Sequence, residues 1–256
     1  MSLRFHEIAE ANHQLLNPFT EQQFMLLGEI CRLDQAMNML DLACGKGEML
    51  CRWSQKFGIS GVGVDISKTF LAAAEKRAAE LNVADKITFI YGDAGEYPQP
   101  SHSFDLVSCI GATWIGNGLV STLELMKLAL KPDGLLLVGE PYWNETPPDA
   151  AYDAMNIDKG LFVSLAGTLE RFESVGMELI EMVLATPESW DRYVSPQWMA
   201  VDDFLRDNPN DPDAQSLREW INSTRRSYLK YGRRYFGWGV FVLRAVSPYS
   251  VETSIA

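Results

Sequence analysis

Five short apolar runs follow one another between residues 37 and 140, and longer amphipathic or polar stretches separate them. They occupy 37–42, 61–65, 87–91, 104–109 and 135–140. The intervening segments 48–57, 68–81 and 119–130 read as helices, the second rich in Ala, Glu and Lys. The run 135–140, Leu135-Leu136-Leu137-Val138-Gly139-Glu140, has no polar alternation until its end, as in a strand buried on both faces. Strands alternating with helices build βαβ units, and βαβ units build a parallel sheet with helices on both sides. The chain is thereby restricted to the doubly wound α/β class.

The flanks modify that plan. Two helices are predicted ahead of the first strand, one over 3–15 and one from Thr20 to about residue 32, where Thr20 and Gln23 have capping-box spacing. Lys131-Pro132-Asp133-Gly134 carries a turn signal. Beyond Glu140, segment 168–175 reads as a helix ending at Gly176, 177–185 as a strand and 236–246 as a final strand. The 187–234 segment between them is mostly helical and too long for a turn, so it is expected to be an inserted cap. The expected divisions are N-terminal helices at 1–36, a core at 37–186 with 236–256, and a cap at 187–235.

The 256 residues carry a net charge of −12, which opposes binding of nucleic acid. Arg225, Arg226, Lys230, Arg233 and Arg234 form one basic cluster, and the acidic residues 202–213 just before it are expected to neutralise it. Cys31, Cys44, Cys51 and Cys109 form no metal-binding spacing and read as buried thiols. No apolar run is long enough to span a bilayer. The opening residues, with Arg4, His6, Glu7 and Glu10, do not resemble an export signal, so a cytoplasmic location is expected.

The chemistry concentrates at strand ends. Asp41-Leu42-Ala43-Cys44-Gly45-Lys46-Gly47 lies between the first strand and its helix. Gly45 and Gly47 permit a sharp turn and close approach of a ligand to the backbone. Asp65 ends the second strand, where a carboxylate can accept two ribose hydroxyls, and Asp93 follows the third, within reach of an adenine edge. A nicotinamide dehydrogenase would need a third glycine where Leu50 stands, and Glu48 would sit beside its pyrophosphate.

On these residues the chain resembles the class I S-adenosylmethionine-dependent methyltransferases, with Asp41, Ala43, Gly45 and Gly47 matching their first motif and Asp65 and Asp93 the two acidic positions. Lys131-Pro132-Asp133-Gly134 resembles their turn before strand five. Gly111-Ala112-Thr113-Trp114-Ile115, Glu140-Pro141-Tyr142-Trp143 and Phe236-Gly237-Trp238-Gly239 are similar to the bacterial YjhP-like group. The resemblance implies a seven-stranded, mostly parallel Rossmann-like sheet whose last strand is antiparallel. It also implies S-adenosylmethionine as cofactor, held by Asp41, Ala43, Gly45, Gly47, Asp65, Ile66, Asp93, Ala94, Cys109 and Gly111.

Methyl transfer needs alignment of a nucleophile, and a base only where that nucleophile carries a proton. Glu140 and Tyr142 at the end of strand five are the catalytic candidates; Glu140 reads equally as a loop anchor. Thr113, Trp114, Trp143, Trp190 and Tyr193 are the candidates for binding the acceptor. His6 and His13, seven apart, would share a face of the first helix, either over the cofactor or in solvent. Trp53 reads as core. The expected function is methylation of a small molecule at O, N, S or C. The alternatives are a non-catalytic cofactor-binding regulator and a methyltransferase acting on protein or RNA.

Overall fold

The computed structural model describes residues 2–97 and 101–246; the end of the expected core, 247–256, lies outside the described residues. Its centre is a seven-stranded sheet in the order β3-β2-β1-β4-β5-β7-β6. The strands are β1 (Asn38–Leu42), β2 (Ser60–Asp65), β3 (Ile87–Tyr91), β4 (Phe104–Ile110), β5 (Leu130–Trp143), β6 (Met177–Leu184) and β7 (Phe236–Ala245). Only β7 runs against its neighbours, inserted between β5 and β6. The chain leaves β1 toward β2 on one side and returns to β4 on the other. A crevice opens where the order reverses, and ligands of such sheets sit there.

The helices are α1 (Leu3–Ala9), α2 (Glu21–Ile30), α3 (Glu48–Phe57), α4 (Lys68–Glu80), α5 (Leu119–Ala129), α6 (Asp149–Met155), α7 (Leu165–Ser174), α8 (Pro187–Asp207) and α9 (Ala214–Ser227). The expected capping box opens α2, with the Thr20 side chain accepting from the Gln23 amide and the Gln23 side chain accepting from the Thr20 amide. Gly176 adopts φ +70° just past α7, as a helix-ending glycine should. Apolar residues cover both sheet faces: Leu40, Val107, Val138 and Phe241 on one side, Met39, Leu106, Leu137 and Val242 on the other. Trp53, fully buried, packs in the second cluster.

Three local expectations change. Helix α1 stops at Ala9 rather than residue 15, because the backbone carbonyls of Glu10, Ala11 and His13 turn to the Lys46 ammonium. The Lys131–Gly134 turn becomes part of β5: Leu130 pairs with Phe104 and Leu135 with Leu106, so the extra residues form a bulge. Lys131 anchors it on the Asp105 carboxylate at 2.8 and 2.9 Å. Helix α6 was not expected, although Pro148 followed by Asp149 in the first turn is a helix-start signal.

The segment between β6 and β7 is α8, α9 and a π-helical turn, Tyr228–Gly232. Its own core of Val201, Leu205, Leu217 and Ile221 also takes up Phe5, Ile8 and Ala9 of α1. Two members of the basic cluster, Arg233 and Arg234, are paired with carboxylates other than the expected ones. Arg233 forks onto Asp191 and Arg234 onto Glu145, while Asp211 and Asp213 bind Arg4. Among the described residues no helix is long and apolar enough to cross a membrane.

Candidate active site

The loop after β1 is shaped by left-handed backbone at Ala43 (φ 58°), Gly45 (φ 56°) and Gly47 (φ 65°). A Cβ on Gly47 would lie 2.6 Å from the Phe89 ring, and one on Gly45 2.6 Å from Leu16 Cδ1. Ala43 adopts the same conformation with a side chain, which ordinarily costs about 1–2 kcal/mol. The loop is pinned by carboxylates on both sides. Asp65 accepts the Gly45 amide at 2.7 Å on one oxygen and the Ser67 amide at 2.8 Å on the other. Asp41 is buried and accepts from the Ser108 hydroxyl at 2.6 Å, bridging β1 and β4 across the reversal. Burial pushes Asp41 up to about 7. Asp93 accepts the Gly95 amide at 2.8 Å, which holds its carboxylate beside Ala94.

A cavity of about 980 Å³ lies against this loop. Of the residues expected at the cofactor, Asp41, Ala43, Gly45, Asp65, Ile66, Asp93, Ala94 and Gly111 line it. Gly47 does not: it sits one residue inside the loop, against Phe89 and Ala74. Cys109 is buried on the face of β4 packed on Leu40 and Val138, while the next residue, Ile110, faces the cavity.

The same two-residue alternation decides the acceptor side. On β5, Pro141 faces the cavity, so Glu140 and Tyr142 face the other side. Glu140 is 2 % exposed and accepts a hydrogen bond from Thr113 Oγ1 at 2.8 Å; burial pushes it up to about 7. The pair ties β5 to the turn after β4, away from the cavity. Tyr142 packs with the apolar cluster of that face. Trp143 is enclosed by Tyr152 and Phe236. Glu140, Tyr142, Thr113 and Trp143 therefore do not line the cavity, whereas Trp114, Trp190 and Tyr193 do.

Its roof is the N-terminal segment and α8. Helix α1 is joined to α4 by Ser67 Oγ donating to Glu7 Oε1 at 2.6 Å, and His6 packs edge-on to Phe70. The shared face expected for His6 and His13 does not form, since α1 ends between them. His6 lines the cavity; His13 contacts Tyr193 instead. Glu10, Tyr193 and Gln197 meet over the cavity, with Glu10 Oε1 accepting from the Tyr193 hydroxyl at 2.8 Å and the Gln197 amide at 2.9 Å. Sequence reasoning missed Glu10 because its partners are more than 180 residues away, and no local pattern announces them.

A model of the methyltransferase domain matches residues 39–134. The chain is 40 % identical to the uncharacterized protein YjhP of Escherichia coli, over 94 % of this chain and 98 % of that one. A crystal structure of an S-adenosylmethionine-dependent methyltransferase from Geobacter sulfurreducens, in complex with S-adenosylhomocysteine, superposes with a TM-score of 0.91 at 40 % identity, covering 95 % of this chain and 98 % of that one. The 27-O-demethylrifamycin SV methyltransferase of Amycolatopsis mediterranei is 28 % identical over 85 % of this chain and 69 % of its own length. With a glycine loop between β1 and α3, carboxylates after β2 and β3, and likeness along nearly its whole length, the chain belongs to the S-adenosylmethionine-dependent methyltransferases, in the family of YjhP.

Proposed function

We propose that the chain transfers the methyl group of S-adenosylmethionine to an uncharged small molecule held between the sheet edge and the α8–α9 cap. The observation that carries this reading is one cavity whose wall includes both the cofactor loop and the cap. Gly45 brings the backbone close to the cavity, and Asp65 and Asp93 bring carboxylates, an arrangement suited to the amino acid, ribose and adenine parts of the cofactor. The cofactor brings an activated methyl on a sulfonium, so the protein's task is alignment and exclusion of water.

The other end of the cavity suits an apolar guest. Trp190, Tyr193, Tyr228, Phe236 and Trp238 contribute aromatic surface there. Among the described residues the lining includes no arginine and one lysine, Lys46, whose ammonium already serves three carbonyls. An acceptor bearing phosphate or carboxylate would find no free cation. The net charge of −12 and the roof speak against an RNA or protein acceptor. The rifamycin methyltransferase, a relative named for a small molecule, is consistent with that class.

The test is a structure with S-adenosylhomocysteine, together with calorimetry on Trp190→Ala. Residual space bordered by Trp190 and Tyr228 is expected, with S-adenosylhomocysteine affinity in the variant within about threefold of wild type. A homocysteine moiety packed on Trp190, leaving no room beyond the sulfur, would sink the acceptor assignment.

A further inference from the structure

Arg225 belongs to the basic cluster visible in the sequence, yet neither the active site nor the expected acidic partners take it up. Asp202 pairs with Arg206 at 2.8 Å, and Asp211 and Asp213 pair with Arg4. Among the described residues no carboxylate pairs with Arg218 or Arg225. Helical spacing gathers these groups at one place. Trp198, Asp202 and Arg206 follow one another at four-residue steps on α8, and Arg218, Asn222 and Arg225 at steps of four and three on α9. Each set forms one bank of a groove of about 210 Å³ between the two helices. Its floor is the buried apolar seam of the cap, Val201, Leu205 and Ile221. None of these residues lines the larger cavity.

The groove is positive on a negative protein: three guanidiniums stand there against one carboxylate, on a chain of net charge −12. The three differ in how they are held. Arg206 and Arg218 are exposed and free to fold onto a guest. Arg225 is half-buried, and its guanidinium carbon lies 5.3 Å from the centre of the Trp198 ring, a stacking contact that orients the planar fork in advance. Its Nε–H is shielded from solvent and has no acceptor, and neither has the Trp198 indole N–H beside it. Indoles elsewhere in the protein share that condition, but Arg225 Nε is the one buried guanidinium nitrogen without a partner among the described residues. Buried donors in folded proteins nearly always find an acceptor, and the protein supplies none here.

We infer that this groove on the α8–α9 cap binds a phosphate group, as the free ion or as a small monoester. Guanidinium forks match phosphate oxygens two at a time, and here they come from both banks. A tetrahedral dianion has oxygens enough for three forks, whereas a planar carboxylate satisfies one. Size sets the same limit. A water molecule takes about 30 Å³ of liquid, so the groove accommodates a guest of several heavy atoms and not an extended ligand. Trp198 also packs edge-on with Tyr228, a residue of the larger cavity, so the phosphate site and that cavity share one wall.

The experiment is calorimetry on the full chain at fixed ionic strength, with inorganic phosphate, glycerol 3-phosphate and acetate as probes. Saturable binding of at least one phosphate is expected, with acetate markedly weaker. Tighter binding of glycerol 3-phosphate would identify a monoester as the ligand, and binding of inorganic phosphate alone the free ion. Arg225→Met, which keeps an aliphatic stem over Trp198, should weaken phosphate binding roughly 10- to 100-fold. Arg218→Met should weaken it as well, and covers the case of an Arg225 variant that does not fold, because Arg218 is exposed. Arg234→Met, whose guanidinium is held by Glu145 outside the groove, should leave it unchanged. Saturation with S-adenosylhomocysteine should also leave it unchanged. No saturable binding of either phosphate, acetate binding as tightly, affinity that survives both groove variants, or displacement of phosphate by S-adenosylhomocysteine would each overturn the assignment.

Discussion

The Lys46 ammonium lies 2.7 Å from the Glu10 backbone carbonyl and also takes the carbonyls of Ala11 and His13, at 3.0 and 2.7 Å. The residue between the two loop glycines thus caps the C-terminal end of α1, where cations are favoured. This contact joins the floor of the cofactor site to its roof. Replacing Lys46 by Met keeps the aliphatic stem and removes the three bonds. Lys46 is partly solvated, so the expected loss is about 1–3 kcal/mol of stability rather than the full value of three charged bonds. Urea unfolding checks the magnitude, and amide exchange over residues 3–13 should accelerate. Unchanged exchange there would mean that the roof is held by its other contacts, Glu7 with Ser67 and Arg4 with Asp211.

A second expectation concerns pH. Burial raises Glu140 from the ordinary carboxylate range to about 7, against the lowering effect of the Thr113 hydrogen bond. A carboxyl group whose folded value is raised binds its proton more tightly when folded. Its contribution to stability is complete below the unfolded value and is lost as pH rises through about 7. Glu140→Gln keeps an acceptor for Thr113 and cannot ionise. The variant should gain on wild type between about pH 5 and pH 8, reaching roughly 1–3 kcal/mol. Asp41 and Glu10 are also raised, while His6 and His13 are lowered and act in the opposite sense below neutrality. These groups are present in both proteins and drop out of the comparison. Parallel stability curves in a pH series of urea melts would show that Glu140 is ionised at neutral pH despite its burial.

These two residues mark where sequence reasoning reached and where it stopped. The strands of the sheet and the glycine loop were legible because they depend on local pattern: apolar runs of strand length, glycines at a turn, an acid at each strand end; the antiparallel direction of the seventh strand came from the family resemblance alone. Ala43 follows the same logic, occupying a left-handed position inside a motif that admits Gly or Ala. Strand parity was harder. Glu140 stands at the right end of the right strand, but its side chain faces the opposite side from Pro141, and the bulge at 131–134 leaves the phase of β5 uncertain from sequence. Glu10 could not have been found by pattern at all. Its role depends on Tyr193 and Gln197 arriving from α8, and on Lys46 ending α1 early. Local spacing even pointed the wrong way, since seven residues between His6 and His13 implied a shared helix face, whereas α1 ends at Ala9.

The last expectation separates two jobs of Asp65. As a ribose acceptor alone, its removal would cost the hydrogen bonds to two hydroxyls. In the folded protein the same carboxylate already accepts the amides of Gly45 and Ser67, and so sets the glycine loop against the start of α4. Asp65→Ala therefore leaves two backbone donors of a buried site unpaired as well as the ribose unbound. Asp65→Asn keeps one carbonyl acceptor but turns an N–H group toward one of those amides. Both variants should weaken S-adenosylhomocysteine binding, the alanine by about 2–4 kcal/mol, or roughly 30- to 1000-fold in Kd. The asparagine should recover little of that, because a donor facing a donor is worse than an empty position. Both should also lower the melting temperature of the unliganded protein, which a residue serving only the ribose would leave in place. Calorimetry and thermal unfolding without ligand decide between the cases. An Asp65→Ala protein as stable as wild type, but deficient in binding, would return Asp65 to a purely ligand-facing role and leave the loop held by its glycines.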